Sequence, residues 1–251
     1  MLRRVAREAD RKTVLGSVWL REEPSPTKAP LSREDIVLTA IKLLDREGLD
    51  AFSMRMMAAE LGTAATSALY WRIATKNDLL ELVVDEVFAP SLEARDEGDW
   101  RDQVTSVVRA AYQALSEHPW ACQLLASHAG LGPNYQGLTE RLHTILRSAG
   151  FRGTHLVAAV SAVFQYLIGS AVTDAAWLSI VRRSGLNGSL WASESAGRMG
   201  VDAEHLTAYL DRESHAGPEA RFASGLRVIL VGLRPRSRRR RRGGRTRATT
   251  A

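Results

Sequence analysis

Apolar side chains along this chain recur at three- and four-residue spacing and almost nowhere alternate with polar ones, so the expected fold is all-α. The stripes are cut by Gly48, Gly62, Pro90, Pro119, Gly130 to Pro133, Gly150 and the Gly217-Pro218 pair. Body helices are predicted at about 100–117, 120–128, 134–149, 154–184, 202–214 and 218–233. Residues 185–200, with four Gly and three Ser, read as a long mobile loop. Segment 1–31 lacks a sustained stripe and ends in Pro24, Pro26 and Pro30; it reads as a flexible arm.

Between these lies a tighter pattern. Ser32 with Asp35 forms a capping box, opening a helix with Ile36, Ala40, Leu43 and Leu44 on one face and a stop at Gly48. Ser53 caps a second helix carrying Met54, Met57, Ala58 and Leu61, which ends at Gly62. Thr63 begins a very short third helix through Leu69 to Trp71, and Thr75 with Asp78 caps a fourth. Two short helices broken at a glycine make a helix-turn-helix, the arrangement that pushes one small helix into the major groove of DNA. Gly62 supplies a turn residue with no side chain to clash, while Leu61 and Leu69 face inward. The tip Ala64 to Ala68 is small enough for close approach to base edges, with Thr66 and Ser67 able to read them. Arg55, Tyr70, Trp71, Arg72 and Lys76 supply phosphate donors, helped by the amides that open the fourth helix.

The phrases Leu69-Tyr-Trp-Arg72 and Thr75-Lys-Asn-Asp-Leu-Leu80 make residues 32–88 resemble the DNA-binding head of the TetR family. The stretch from Pro119 through Gly132-Pro133-Asn134, and Arg221-Phe-Ala-Ser-Gly-Leu-Arg227 on to Leu233, resemble the ligand-binding body of its tetracycline-repressor-like actinobacterial branch. The resemblance covers roughly residues 32–233. It implies a three-helix head joined to a larger helical domain for ligand binding and dimerisation. It further implies a ligand-responsive regulator, a repressor, that binds a palindromic operator as a homodimer and is released by a small-molecule effector. DNA-facing positions carried over are Arg55, Ser67, Tyr70, Trp71, Arg72 and Lys76; Thr63, Ala65 and Thr66 complete the candidate interface. One departure stands out: six residues, Thr63 to Ala68, separate the turn glycine from the Leu-Tyr pair, where the family usually has five. An added residue turns a helix by about 100° and lengthens it by about 1.5 Å. Either the turn absorbs it, or the tip presents a shifted face.

The domains expected are therefore the arm 1–31, the head 32–90, the body 91–233 and an Arg-rich tail 234–251. In the body, Leu156, Val160 and Leu167 with Phe222, Leu226 and Ile229 are the candidate dimer interface. Trp120, Phe164, Gln165 and Trp177 are the candidate ligand pocket. The tail carries nine Arg and no acid, so a basic isoelectric point is weak evidence for DNA binding; the rest of the chain is mildly acidic. A competing reading gives the DNA affinity to this tail, as in a non-specific architectural protein.

Other classes recede. Cys122, the single cysteine, sits among Trp120, Ala121, Leu124 and Leu125 and reads as a buried hydrophobe, which fits a reducing cytoplasm. His118, His128, His143 and His155 are scattered, so no metal site is expected, and no cofactor or catalytic motif is present. The apolar run Leu156 to Val172 is 17 residues and contains Ser161, Gln165, Gly169 and Ser170. That is short for a bilayer span, and a buried bundle helix in a cytoplasmic protein is expected.

Overall fold

The structure, a computed structural model, describes residues 17–20, 32–62, 69–70, 72–125, 127–128, 130–211 and 214–235. These residues are mostly helical and contain no strand. Helix α1 (Arg33–Ala51) opens on the Ser32–Asp35 capping box. Gly48 breaks the helix as expected. Its backbone leaves the helix at φ 78° and a last turn resumes to Ala51, leaving a kink. Helix α2 (Met54–Glu60) is capped by Ser53, and Leu69, Tyr70 and Arg72 are helical. Helix α3 (Lys76–Glu86) starts on the Thr75–Asp78 box.

Pro90, which cuts the apolar stripe at the end of the head, sits in the first turn of a short helix α4 (Ala89–Leu92), where proline costs nothing. The body follows with α5 (Trp100–Glu117), α6 (Pro119–Leu125), α7 (Pro133–Ser148), α8 (Gly153–Ser184), α9 (Gly188–Met199), α10 (Ala203–Leu210) and α11 (Pro218–Gly232).

Helix α9 overturns the loop expected at 185–200. Asn187 accepts the Leu190 amide at its start, and Gly200, at φ 67°, ends it by a left-handed cap in which the Val201 amide reaches back to the Ala196 carbonyl. Two of the glycines, Gly185 and Gly200, are thus caps and not loop residues. Ala192 and Ala196 pack on Leu206 of α10, forming a small hairpin core of their own.

The main core runs without a break from Ile36, Leu43 and Met57 of the head through Leu79 and Val83 of α3 to Val107, Leu142 and Val163 of the body. Helix α3 is the shared element: it packs on α1, α6 and α7, and its Leu79 and Val83 are fully buried. Three acids on α3 are buried as well. Asp78 closes the capping box; Glu81 accepts from the Ser17 hydroxyl at 2.5 Å and the Val18 amide at 3.1 Å. Asp85 accepts the Asn134 and Tyr135 amides that open α7, at 3.1 and 2.9 Å. The contact to Glu81 docks Ser17 to Leu20 on α3, so the flexible-arm expectation does not hold for these four residues.

Helix α8 is long and apolar enough to cross a bilayer, yet its Leu156, Val160, Val163, Leu167 and Ala171 are buried against other helices. Its one interior acid, Asp174, is neutralised within the fold: Arg221 of α11 pairs with it at 2.8 Å and the Tyr112 hydroxyl donates at 2.6 Å.

Candidate nucleic-acid interface and its link to the body

The head's geometry follows from its apolar anchors. Leu69 is fully buried and Ile73 nearly so, while Leu61 is half-buried against the same core. This pins both ends of the segment that carries the tip. Gly62 turns at φ 64°, but a Cβ there would meet no atom within 4 Å. Backbone conformation, and not the crowding expected from the turn, therefore demands this glycine.

Of the predicted DNA contacts, Arg55 on α2 and Tyr70 are exposed, Tyr70 to 47 %. Arg72 is half-buried. Lys76 is also half-buried, and its ammonium donates to the Phe52 carbonyl at 2.6 Å while lying over the Phe52 ring. It braces the α1–α2 corner, with two of its three donors left for a phosphate. Thr63, Ala65, Thr66, Ser67 and Trp71 lie outside the described residues, as does the six-residue spacing.

The four pocket candidates do not line one cavity. Phe164 meets Tyr135 edge to face at 5.1 Å, and Tyr135 in turn meets Phe88, so this interior is filled by rings. Trp177 faces α9 and α10 through Trp191 and Tyr209. Gln165 lines a separate recess beside Tyr166 and Arg221. Trp120 is turned toward the head. The dimer candidates are similarly corrected: Leu156, Val160, Leu167, Phe222 and Leu226 are all buried inside this single chain, and Ile229 is half-buried against its core. Helical spacing finds an apolar stripe but cannot say whether the same chain or a second one covers it.

What the sequence did not disclose is the polar hardware between head and body. Asp45 Oδ1 on α1 accepts from the Trp120 indole at 2.7 Å, and His118 Nδ1 sits 2.8 Å from the same oxygen. On α3, Asn77 Oδ1 lies 3.0 Å from His128 Nε2, and the Asn77 amide donates to Glu81. Burial pushes the Asp85 carboxyl above the ordinary carboxylate range, against the two amides that pull it down. Burial, helped by Asp174, also pushes the Cys122 thiol up to about 12, so it stays protonated and unreactive.

Residues 92–236 match the family model of the tetracyclin repressor-like C-terminal domain. An HTH-type transcriptional regulator of Saccharopolyspora erythraea is 36% identical over 229 residues, 87% of this chain and 91% of that protein. The HTH-type transcriptional repressor DrrR1 of Streptomyces coeruleorubidus is 32% identical over 221 residues, 84% of this chain and 78% of its own. Among solved structures, the Streptomyces coelicolor TetR family protein ActR in complex with actinorhodin superposes with a TM-score of 0.63. That match has 26% identity and covers 82% of this chain and 96% of the other. The helix-turn-helix head, the helical body fused to it and these relatives agree: the chain belongs to the TetR family of transcriptional regulators.

Proposed function

We propose that this chain is a ligand-responsive repressor, binding a two-fold-symmetric operator as a homodimer and leaving it when a small molecule binds. The observation that carries this reading is α3, buried on the head side and the body side at once. A helix clamped by both parts converts rearrangement in one into tilt of the other. DrrR1 bears the name of a repressor and ActR has been seen holding actinorhodin, which supports both halves of the proposal.

In this reading residues 32–90 read DNA, 91–233 bind the effector and dimerise, and the protein works in the cytoplasm without enzymatic activity. Arg55, Tyr70, Arg72 and Lys76 hold phosphates, and the tip residues Thr63, Ala65, Thr66, Ser67 and Trp71 approach the groove. The dimer face moves outward from the buried stripes: Val157 on α8 and Val228 and Val231 on α11 are 57, 74 and 59 % exposed. Apolar side chains left that open on two neighbouring helices suit coverage by a second subunit.

The test is selection of duplexes from a random pool at moderate salt. Enrichment of a palindrome with half-sites about 34 Å apart is expected. Absence of any preferred duplex would end the reading, and loss of all binding on removing 234–251 would hand the DNA affinity to the tail.

A further inference from the structure

The kinked end of α1, the start of α6 and the last third of α8 enclose a cleft of about 640 Å³, within the range of small-molecule sites. It lies where head meets body, apart from the ring-filled interior around Tyr135 and Phe164. Its inner wall is apolar: Trp120 forms it from α6, while Val172 and Ile180 of α8 each leave 38 % of their surface open beside Ala176. Its rim carries both signs of charge, with Asp45, Glu47 and Asp50 of α1 and Glu117 of α5 supplying acceptors and Arg182 and Arg183 contributed by the end of α8. Arg46, also on the rim, is committed to Glu47 and Glu60.

We propose that this cleft is an effector site, and that it takes a planar, largely apolar molecule carrying hydroxyl or amine donors. The proposal rests on the ligand-responsive reading above. A flat ring system matches the open Val172, Ala176 and Ile180 wall, backed by Trp120, and donors match the Asp45 and Asp50 carboxylates at the α1 end of the cleft. Asp45 makes occupancy legible to the head. The same carboxylate oxygen that a ligand donor reaches is the one that ties α1 to Trp120 and His118. Competition for it loosens that tie. The α1 kink at Gly48 follows three residues later, and Phe52 beyond it is the residue whose carbonyl Lys76 grips. A push on the cleft therefore reaches the base of α2 within one turn of chain.

The experiment uses the full chain and 2,6-dihydroxynaphthalene as probe, with naphthalene as the analogue lacking donors. The readout is the Trp120 indole N–H resonance, assigned through Trp120→Phe. Saturable displacement of that resonance by the diol is expected, about tenfold weaker with naphthalene, the factor worth about one hydrogen bond. Ala176→Trp, which fills the cleft from an exposed position, should abolish it. Ile180→Ser, a smaller change, should weaken it severalfold and serves if the first variant does not fold. No saturable shift at millimolar diol, or undiminished binding in both variants, overturns the cleft. Duplex selection without probe separates the two claims. A preferred duplex with no probe binding sinks the cleft alone; probe binding with no preferred duplex sinks the repressor reading alone.

Discussion

The head–body junction and the α9–α10 hairpin are both helix packings, yet they are built at opposite extremes. The junction shares one continuous core in which Leu79, Val83 and Phe88 are fully buried, and it takes in three acids, each with its own donors. The hairpin buries only Ala192, Ala196 and Leu206 among its described residues and meets the body through Trp177 of α8 and through Arg221 of α11, which donates to the Tyr209 carbonyl. Burying acids on a helix is costly, and it is tolerated at the junction because backbone amides and a hydroxyl meet them there. The difference teaches where motion is transmitted and where it is absorbed: a core with buried carboxylates moves as a unit, while a three-residue core opens by itself.

Phe88→Ala should break the junction most severely. The ring is fully buried and packs edge-on to Tyr135, so its loss should cost about 3–5 kcal/mol, read as a large fall in denaturation midpoint. Loss of under 1 kcal/mol would mean that head and body do not unfold together. Asp85→Ala comes next, at about 1–3 kcal/mol, because it strands two amides of α7. Its wild-type signature is a pH dependence of unusual sign. The raised carboxyl holds a proton in the folded state at pH values where the unfolded chain has lost it. This site's contribution to stability therefore rises as pH falls from neutral toward the ordinary aspartate value of 3.8 and levels off below it. Asp85→Asn should remove that component; an unchanged difference in stability between pH 7 and 4 would refute it. Asp45→Ala should cost less, about 1 kcal/mol, since its carboxylate is partly exposed. Its larger effect should be on operator affinity, measured by titration of the selected duplex.

Much of the fold was readable from the sequence because it rests on local rules. The capping boxes at Ser32 and Thr75, and the apolar face of Ile36, Ala40, Leu43 and Leu44, are decided within a few residues. The family phrases around Tyr70 and Thr75 marked the head. What stayed hidden depends on distant partners. Asp45 and Trp120 are 75 positions apart, and nothing near either residue announces the other. Asp174 lies in an apolar helix, and its partner Arg221 is 47 positions away. Glycine misled at 185–200, since a glycine cap and a glycine loop have the same composition; only the Asn187 cap and the spacing of Trp191, Ala192 and Ala196 tell them apart. The dimer stripe is a related case: helical spacing marks Leu167 and Phe222 as apolar, and in this chain the surface that covers them is its own.

The smallest effect tests the hairpin's independence. Gly200 closes α9 at φ 67° with no atom within 4 Å of a Cβ, so Gly200→Ala adds backbone strain and no clash. Strain of that kind costs about 1 kcal/mol. If the hairpin opens by itself, the cost falls on its own opening: amides of α9 and α10 should exchange about fivefold faster, as a 1 kcal/mol change implies, while those of α3 keep their protection. Faster exchange in α3 by the same factor would show that α9 and α10 share the cooperative unit of the junction, and the contrast between the two regions would be one of composition alone.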